Sequence, residues 1–173
     1  MSAVLTQLTT GTWTAEPAST RVRFRARDVL GKSVLGTLSV LSATVEVSTS
    51  GVPLRLRADL DLSSVATGNP RRDAALRGPR FFHVERDAVL RVTAGSAQPD
   101  EPGRWHLAGE AAMKGLACPL AIAVDLVDLD DGRARVRATT TLDRREVGIR
   151  VPRLLVGRLV AVEVDAVLHG PDA

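Results

Sequence analysis

The residues able to do chemistry in this chain are few, and most of them are arginines. Arg71, Arg72, Arg77 and Arg80 crowd one short segment. Guanidinium groups bind a diphosphate or carboxylate through forked hydrogen bonds, so these four are the candidate head-group contacts. A solvated face, or a local Arg72–Asp73 pair that fixes a loop, would explain the same residues. Asp143-Arg144 reads as a structural ion pair at a strand end. The three histidines, His83, His106 and His169, lie far apart and show no metal-ligand spacing, so no metal is expected. Cys118 precedes Pro119 in an apolar stretch and reads as a small buried residue rather than a nucleophile. There is no Gly-rich phosphate loop and no Gly-x-Ser-x-Gly elbow. The expected catalytic and cofactor sets are therefore empty, and the protein is not expected to be an enzyme.

Composition narrows the class further. At 173 residues, with 45% hydrophobic and 25% charged side chains, the chain fits one soluble domain with a proper core. The net charge of +3 comes almost wholly from arginine, Lys32 and Lys114 being the only lysines. The basic residues alternate with apolar ones, and aromatics for base stacking are almost lacking, so no nucleic-acid partner is expected. A single cysteine makes no internal disulfide and demands no oxidising compartment. The first twenty residues lack a basic start followed by an apolar run, and no run of about 18 apolar residues could span a membrane. A cytoplasmic location without a membrane span is expected.

The elements that would position a site are strands. From Arg21, apolar Val22, Phe24 and Ala26 alternate with arginines, the period-two pattern of a half-buried strand. Similar patterns cover 34–48, 54–62, 88–94, 105–113, 120–126, 134–142 and 160–168, eight in all. Leu54, Leu56, Ala58, Leu60 and Leu62 are expected on one inward face. Residues 1–12 read as a loose lead-in, 95–103 as an exposed turn, and Asp130-Asp131-Gly132 as a hairpin. Gly31 and Gly36 read as turn or bulge positions. One helix is expected, over 70–77: Asn69 caps it, Pro70 opens it, Asp73 favours its dipole, and Gly78-Pro79 ends it in a left-handed turn. So short a helix must be held by packing, with Phe81 and Phe82 as anchor. Short turns imply antiparallel neighbours, and one wet face implies closure into a barrel or a two-sheet sandwich.

The order of several short motifs resembles the YceI-like family. Ser64-Val65-Ala66-Thr67-Gly68, Arg72-Asp73-Ala74-Ala75-Leu76 and Phe81-Phe82-His83-Val84 are similar to its Ser-Ile-x-Thr-Gly, Arg-Asp-x-His-Leu and Phe-Phe-Asp-Val. Ala108-Gly109-Glu110, Met113-Lys114-Gly115 and Pro119-Leu120 resemble its Gly-x-Leu-Thr-Ile-Lys-Gly-x-x-x-Pro-Val segment. Asp143-Arg144 with Gly148-Ile149, and Trp13 with the run Ser19 to Phe24, resemble its closing and opening motifs. The chain departs at Ala75, His83 and Val147, where the family has His, Asp and Phe, at Arg86-Asp87-Ala88 in place of Tyr-Pro, and in having no Tyr. The resemblance implies an all-β fold: an eight-stranded antiparallel lipocalin-like barrel with one short helix inserted, as a single domain over 1–173.

Aliphatic inward faces with interspersed Ala and Gly either pack solid or enclose an apolar cavity, and the pattern leaves both open. The resemblance implies the cavity, and a polyprenyl or similar long-chain lipid within it. The expected lining is Phe24, Leu56, Leu60, Leu76, Phe81, Phe82 and Leu90, with Leu107, Ala111, Met113, Ile122, Val136, Ala138 and Val162. Binding as carrier, store or sensor is the expectation, with a homodimer as the permitted assembly. An enzyme using the same cavity, or a filled scaffold acting through its surface, are the alternatives.

Overall fold

The computed structural model describes residues 8–27, 30–149 and 157–171. Nine strands and one helix follow in order: β1 (Gly11–Ala15), β2 (Arg21–Arg27), β3 (Ser33–Val47), β4 (Pro53–Ala66), α1 (Pro70–Arg77), β5 (Val89–Pro99), β6 (Arg104–Met113), β7 (Leu116–Asp130), β8 (Arg133–Asp143) and β9 (Leu159–His169). All pairings are antiparallel, and the ring closes through β2–β9 and β3–β4. A closed eight-position barrel results, because β1 and β2 share one slot between β3 and β9. Trp13 of β1 faces Val45 and Ala15 faces Leu168, while Val22 of β2 faces Leu38 and Val164. A single 3-10 turn, Pro17–Ser19, interrupts that slot. Proline has no N–H for the ladder, which breaks the strand at this point. The loose lead-in expected over 1–12 is therefore corrected for its last residues: Gly11 and Thr12 are strand, and Leu8 is buried.

Alternation holds along most strands, with inward aliphatics and outward charges. The outward charges pair across neighbours: Arg104 with Asp125 at 2.7 Å, Arg23 with Asp165 at 3.0 Å, Arg137 with Asp165 at 3.5 Å. Exposed pairs of this kind contribute a few tenths to about 1 kcal/mol each and help fix register. Leu54 departs from its expected inward place and is 56% exposed, because the β3–β4 register shifts between Glu46–Arg55 and Val47–Pro53 and leaves Leu54 as the unpaired bulge residue. The expected turn over 95–103 is largely strand: a bulge between Gly95 and Gln98 absorbs the irregularity, and pairing resumes at Gln98–His106. Pro119 lies inside β7, opposite Glu110 of β6, but beyond the end of the β7–β8 ladder, which starts at Ala123. Its missing donor is tolerated there. Asp131 and Gly132 both have positive φ, 40° and 80°, as a two-residue hairpin turn requires. Gly36 is neither turn nor bulge: it lies within β3 beneath Phe24, whose Cζ would be 2.2 Å from any Cβ placed there.

The barrel has two unlike ends. At one, Trp13 is almost fully buried, donates its indole N–H to the Thr9 carbonyl at 2.9 Å, and lies against Gly170. The turns joining β3–β4, β5–β6 and β7–β8 surround it. The other end carries α1, the β6–β7 hairpin and the connection from β8 to β9. There the helix begins as the sequence predicts, with the Asn69 side chain accepting from the Arg72 N–H at 3.1 Å. Its end differs: Gly78 is extended (φ −78°, ψ 177°) rather than left-handed, and its N–H closes a tight turn on Ala75. Within α1 itself, polar contacts do most of the holding. Its only buried side chain is Asp73, which accepts from the backbone N–H of Thr67 at 3.0 Å and from the Thr67 hydroxyl at 2.6 Å. Phe81 and Phe82 follow the helix half-buried and pack on the main core cluster.

Candidate functional site

Enclosed within the barrel is a cavity of about 130 Å³. Of the expected lining, Leu56, Leu60, Leu90, Leu107 and Ala111 face it, as do Ile122, Val136, Ala138 and Val162. The remaining five lie elsewhere. Phe24 covers Gly36 and lines a second, more open groove. Met113 is buried in the core at the β6–β7 hairpin, and Leu76, Phe81 and Phe82 belong to the helix end. The sequence reading did not single out Val40, Ala43 and Val45 of β3, which also face the cavity. Two register shifts in β3, between Thr37 and Ser39 and between Val40 and Ser42, break simple period-two counting there. Trp105, Leu120 and Val124 were on inward faces by alternation alone, and they too line the space.

The chemistry of this lining is one-sided. No Asp, Glu, His, Lys, Arg or Cys among the described residues faces the cavity. Two lining hydroxyls already donate to backbone: Thr140 to the Ala121 carbonyl at 2.9 Å and Thr20 to the Glu16 carbonyl at 2.8 Å. An interior so built has no charge to offer and attracts ligands by apolar contact. A dry cavity of about this size holds a molecule the size of benzene.

The arginine cluster is not part of that space. Arg72 donates through Nε to the Thr67 hydroxyl at 2.8 Å and through Nη2 to the Thr67 carbonyl at 3.0 Å. Arg77 donates to the carbonyls of Ser63 at 2.9 Å and Val65 at 3.1 Å. These two lash α1 to the end of β4, together with Asp73. Arg71 and Arg80 are exposed on the same segment, with no ion pair among the described residues. None of the four reaches the cavity lining.

The polar groups of the helix end form a second structural knot. Lys114 and Gly115 have positive φ, 55° and 76°, and turn β6 into β7. The Lys114 ammonium donates to the carbonyls of Phe81 at 2.9 Å and Gly148 at 3.1 Å, tying two loops to the hairpin. Burial, with the nearby Arg86 charge, lowers its pKa below the usual lysine value. Arg144 is almost wholly buried and donates to the carbonyls of Gly157 at 2.9 Å and Ile149 at 2.7 Å, and burial lowers its pKa. The expected Asp143–Arg144 ion pair is replaced: Asp143 pairs with Arg158 at 2.8 Å and with Arg145 at 3.7 Å. Cys118 is buried beside them, and burial pushes its thiol pKa up. The histidines stay apart, His106 on Asp100 at 3.0 Å and His169 on Glu16 at 2.8 Å.

Solved structures share this architecture at low identity. BcnA of Burkholderia cenocepacia aligns over 88% of this chain and 98% of its own, with a TM-score of 0.77 at 13% identity. A polyisoprenoid binding domain from Saccharophagus degradans, implicated in plant cell wall breakdown, aligns over 92% and 98% with a TM-score of 0.72 at 14% identity. The YCEI protein of Campylobacter jejuni aligns over 79% and 84%, with a TM-score of 0.66 at 14% identity. No curated protein matches the chain. The YceI-like domain profile matches residues 13–168, from the tryptophan that closes one barrel end to the last core leucine of β9. The chain belongs to the YceI-like family.

Proposed function

We propose that this protein binds an isoprenoid or comparable long-chain lipid, with the apolar chain inside the barrel, as a carrier, store or sensor. The observation that carries this reading is the cavity lined without a single ionisable side chain. A structural relative described as a polyisoprenoid binding domain supports the same ligand class. An enzyme would need an acid, base or nucleophile at the cavity wall, and the described lining supplies none, which favours binding over catalysis. Arg71 and Arg80 are the head-group contacts in this reading, since Arg72 and Arg77 are committed to backbone carbonyls. A cytoplasmic location completes it, in keeping with a lone reduced cysteine.

The size of the cavity sets how binding works. About 130 Å³ accepts a group no larger than one prenyl unit, so a long chain enters only as lining side chains move apart. Each methylene buried contributes about 0.8 kcal/mol, which drives that expansion. Mass spectrometry of an organic extract from purified protein tests the reading. A long-chain isoprenoid or other lipid at near-stoichiometric yield is expected. Extracts free of lipid, together with no uptake of farnesol or longer prenyl alcohols, would reject it.

A further inference from the structure

Charge is distributed unevenly along the barrel axis. The hairpin tips at the Trp13 end expose Asp100, Glu101, Asp130 and Asp131. At the helix end, Arg25, Arg27, Arg71, Arg80 and Arg86 are exposed, have no ion pair among the described residues, and outnumber the exposed acids of that end, Glu85 and Glu146. Among the described residues, four of the seven exposed large apolar side chains are at that same end: Leu30, Leu35, Leu116 and Leu159, 74%, 60%, 43% and 56% exposed. The two sets interleave at one corner. Arg25 is directly opposite Leu35 of β3, and a groove bounded by Arg25, Arg27, Arg158 and Leu159 runs beside it. Leucines flanked by arginines on a rim suit neither bulk water nor a protein core. They suit the boundary of a bilayer, where apolar side chains enter the acyl region and guanidinium groups meet phosphates.

We propose that the helix end of the barrel docks on an anionic lipid surface, with the Arg25–Leu35–Leu159 corner inserted, and that the acidic end faces away. This inference rests on the lipid-binding reading above and gives it a place of transfer. The arginines supply attraction to anionic head groups, about fivefold in affinity for each one near the surface. The leucines supply shallow insertion.

Sedimentation of the full chain with vesicles tests it. Vesicles of phosphatidylcholine mixed equally with phosphatidylglycerol should carry the protein down, and phosphatidylcholine vesicles should not. Raising salt to about 1 M, where charges are screened beyond about 3 Å, should release it. Arg25→Gln, Arg27→Gln and Arg86→Gln together should weaken binding about a hundredfold. Leu35→Ser with Leu159→Ser should weaken it while leaving the salt dependence, and Arg55→Gln near the Trp13 end should change nothing. Equal binding to both vesicles, or equal losses from Arg55→Gln and from the rim variants, would overturn the proposal. Farnesol uptake in solution is measured alongside. Uptake with no vesicle selectivity overturns the docking surface alone; vesicle selectivity with no uptake upholds the surface and rejects the ligand reading.

Discussion

Filling the barrel should make it more stable. Ala138 lies on β8 between Val124 and Val164, and its methyl group faces the cavity. A void of about 130 Å³ costs roughly 3 kcal/mol at about 24 cal/mol per Å³, which is the ceiling on what filling can recover. Ala138→Leu adds three carbons, worth about 2.4 kcal/mol at about 0.8 each. Ordering a leucine side chain takes back about 0.5–1 kcal/mol, which leaves a net gain of about 1.5 kcal/mol. For a chain of this length that raises Tm by about 3–6 °C. Urea unfolding followed by circular dichroism measures it, with an unchanged m-value as evidence that both variants unfold the same way. A loss of about 1 kcal/mol or more would mean the interior is already packed, because overfilling a dense core costs about 1–3 kcal/mol. That result would refute the cavity.

Asp73→Ala removes the acceptor for two Thr67 donors and the only buried side chain of α1, so unfolding free energy should fall by about 1–3 kcal/mol, and Thr67→Ala in the same background should add little. Gly109→Ala would set a Cβ 2.2 Å from the Thr93 carbonyl oxygen of β5, so β5 and β6 must part, and a loss of more than about 2 kcal/mol should show in urea melts. For Asp143, burial pushes the carboxyl pKa up, but the Arg145 amide and the Arg158 guanidinium outweigh it and hold the pKa below the usual value. A carboxyl with a lowered folded pKa stabilises fully above the ordinary carboxylate value and loses that contribution as pH falls through the folded one. Melting midpoints taken between about pH 5 and about pH 2 should therefore drop more steeply for wild type than for Arg158→Gln.

The fold was legible where one face is buried and the pairing regular. Leu120, Ile122 and Val124 alternate with outward residues, as do Ala134, Val136 and Ala138, and each set lands inside as the pattern demands. β1 escaped notice because Gly-Thr-Trp-Thr-Ala offers one large apolar side chain, and a single residue has no period. β5 and β7 run longer than their apolar stretches, since Ser96-Ala97 forms a bulge before pairing resumes at Gln98 and Leu116-Ala117-Cys118 precedes a proline. The helix limits were readable from Asn69, Pro70 and Gly78, but not the forces holding it. Those depend on Thr67, Ser63 and Val65 groups that the chain's own turn brings within reach of Arg72, Asp73 and Arg77. Whether the aliphatic faces leave a space was not legible either, because Ala111 and Ala138 give room only if the opposite wall does not advance to fill it.

The central claim, that an apolar chain occupies the barrel interior, is tested most directly by titrating farnesol into wild type and Ala138→Trp. Bound ligand is followed through the fluorescence of Trp105, which lines the cavity. A Trp13→Phe background removes the other native tryptophan, and uptake by Ala138→Trp is read by equilibrium dialysis, since its new indole would report on itself. Saturable one-to-one binding in wild type, absent from an Ala138→Trp protein with the same circular dichroism spectrum, is the predicted result. Unchanged binding in a correctly folded Ala138→Trp protein would place the ligand outside the barrel and contradict the account.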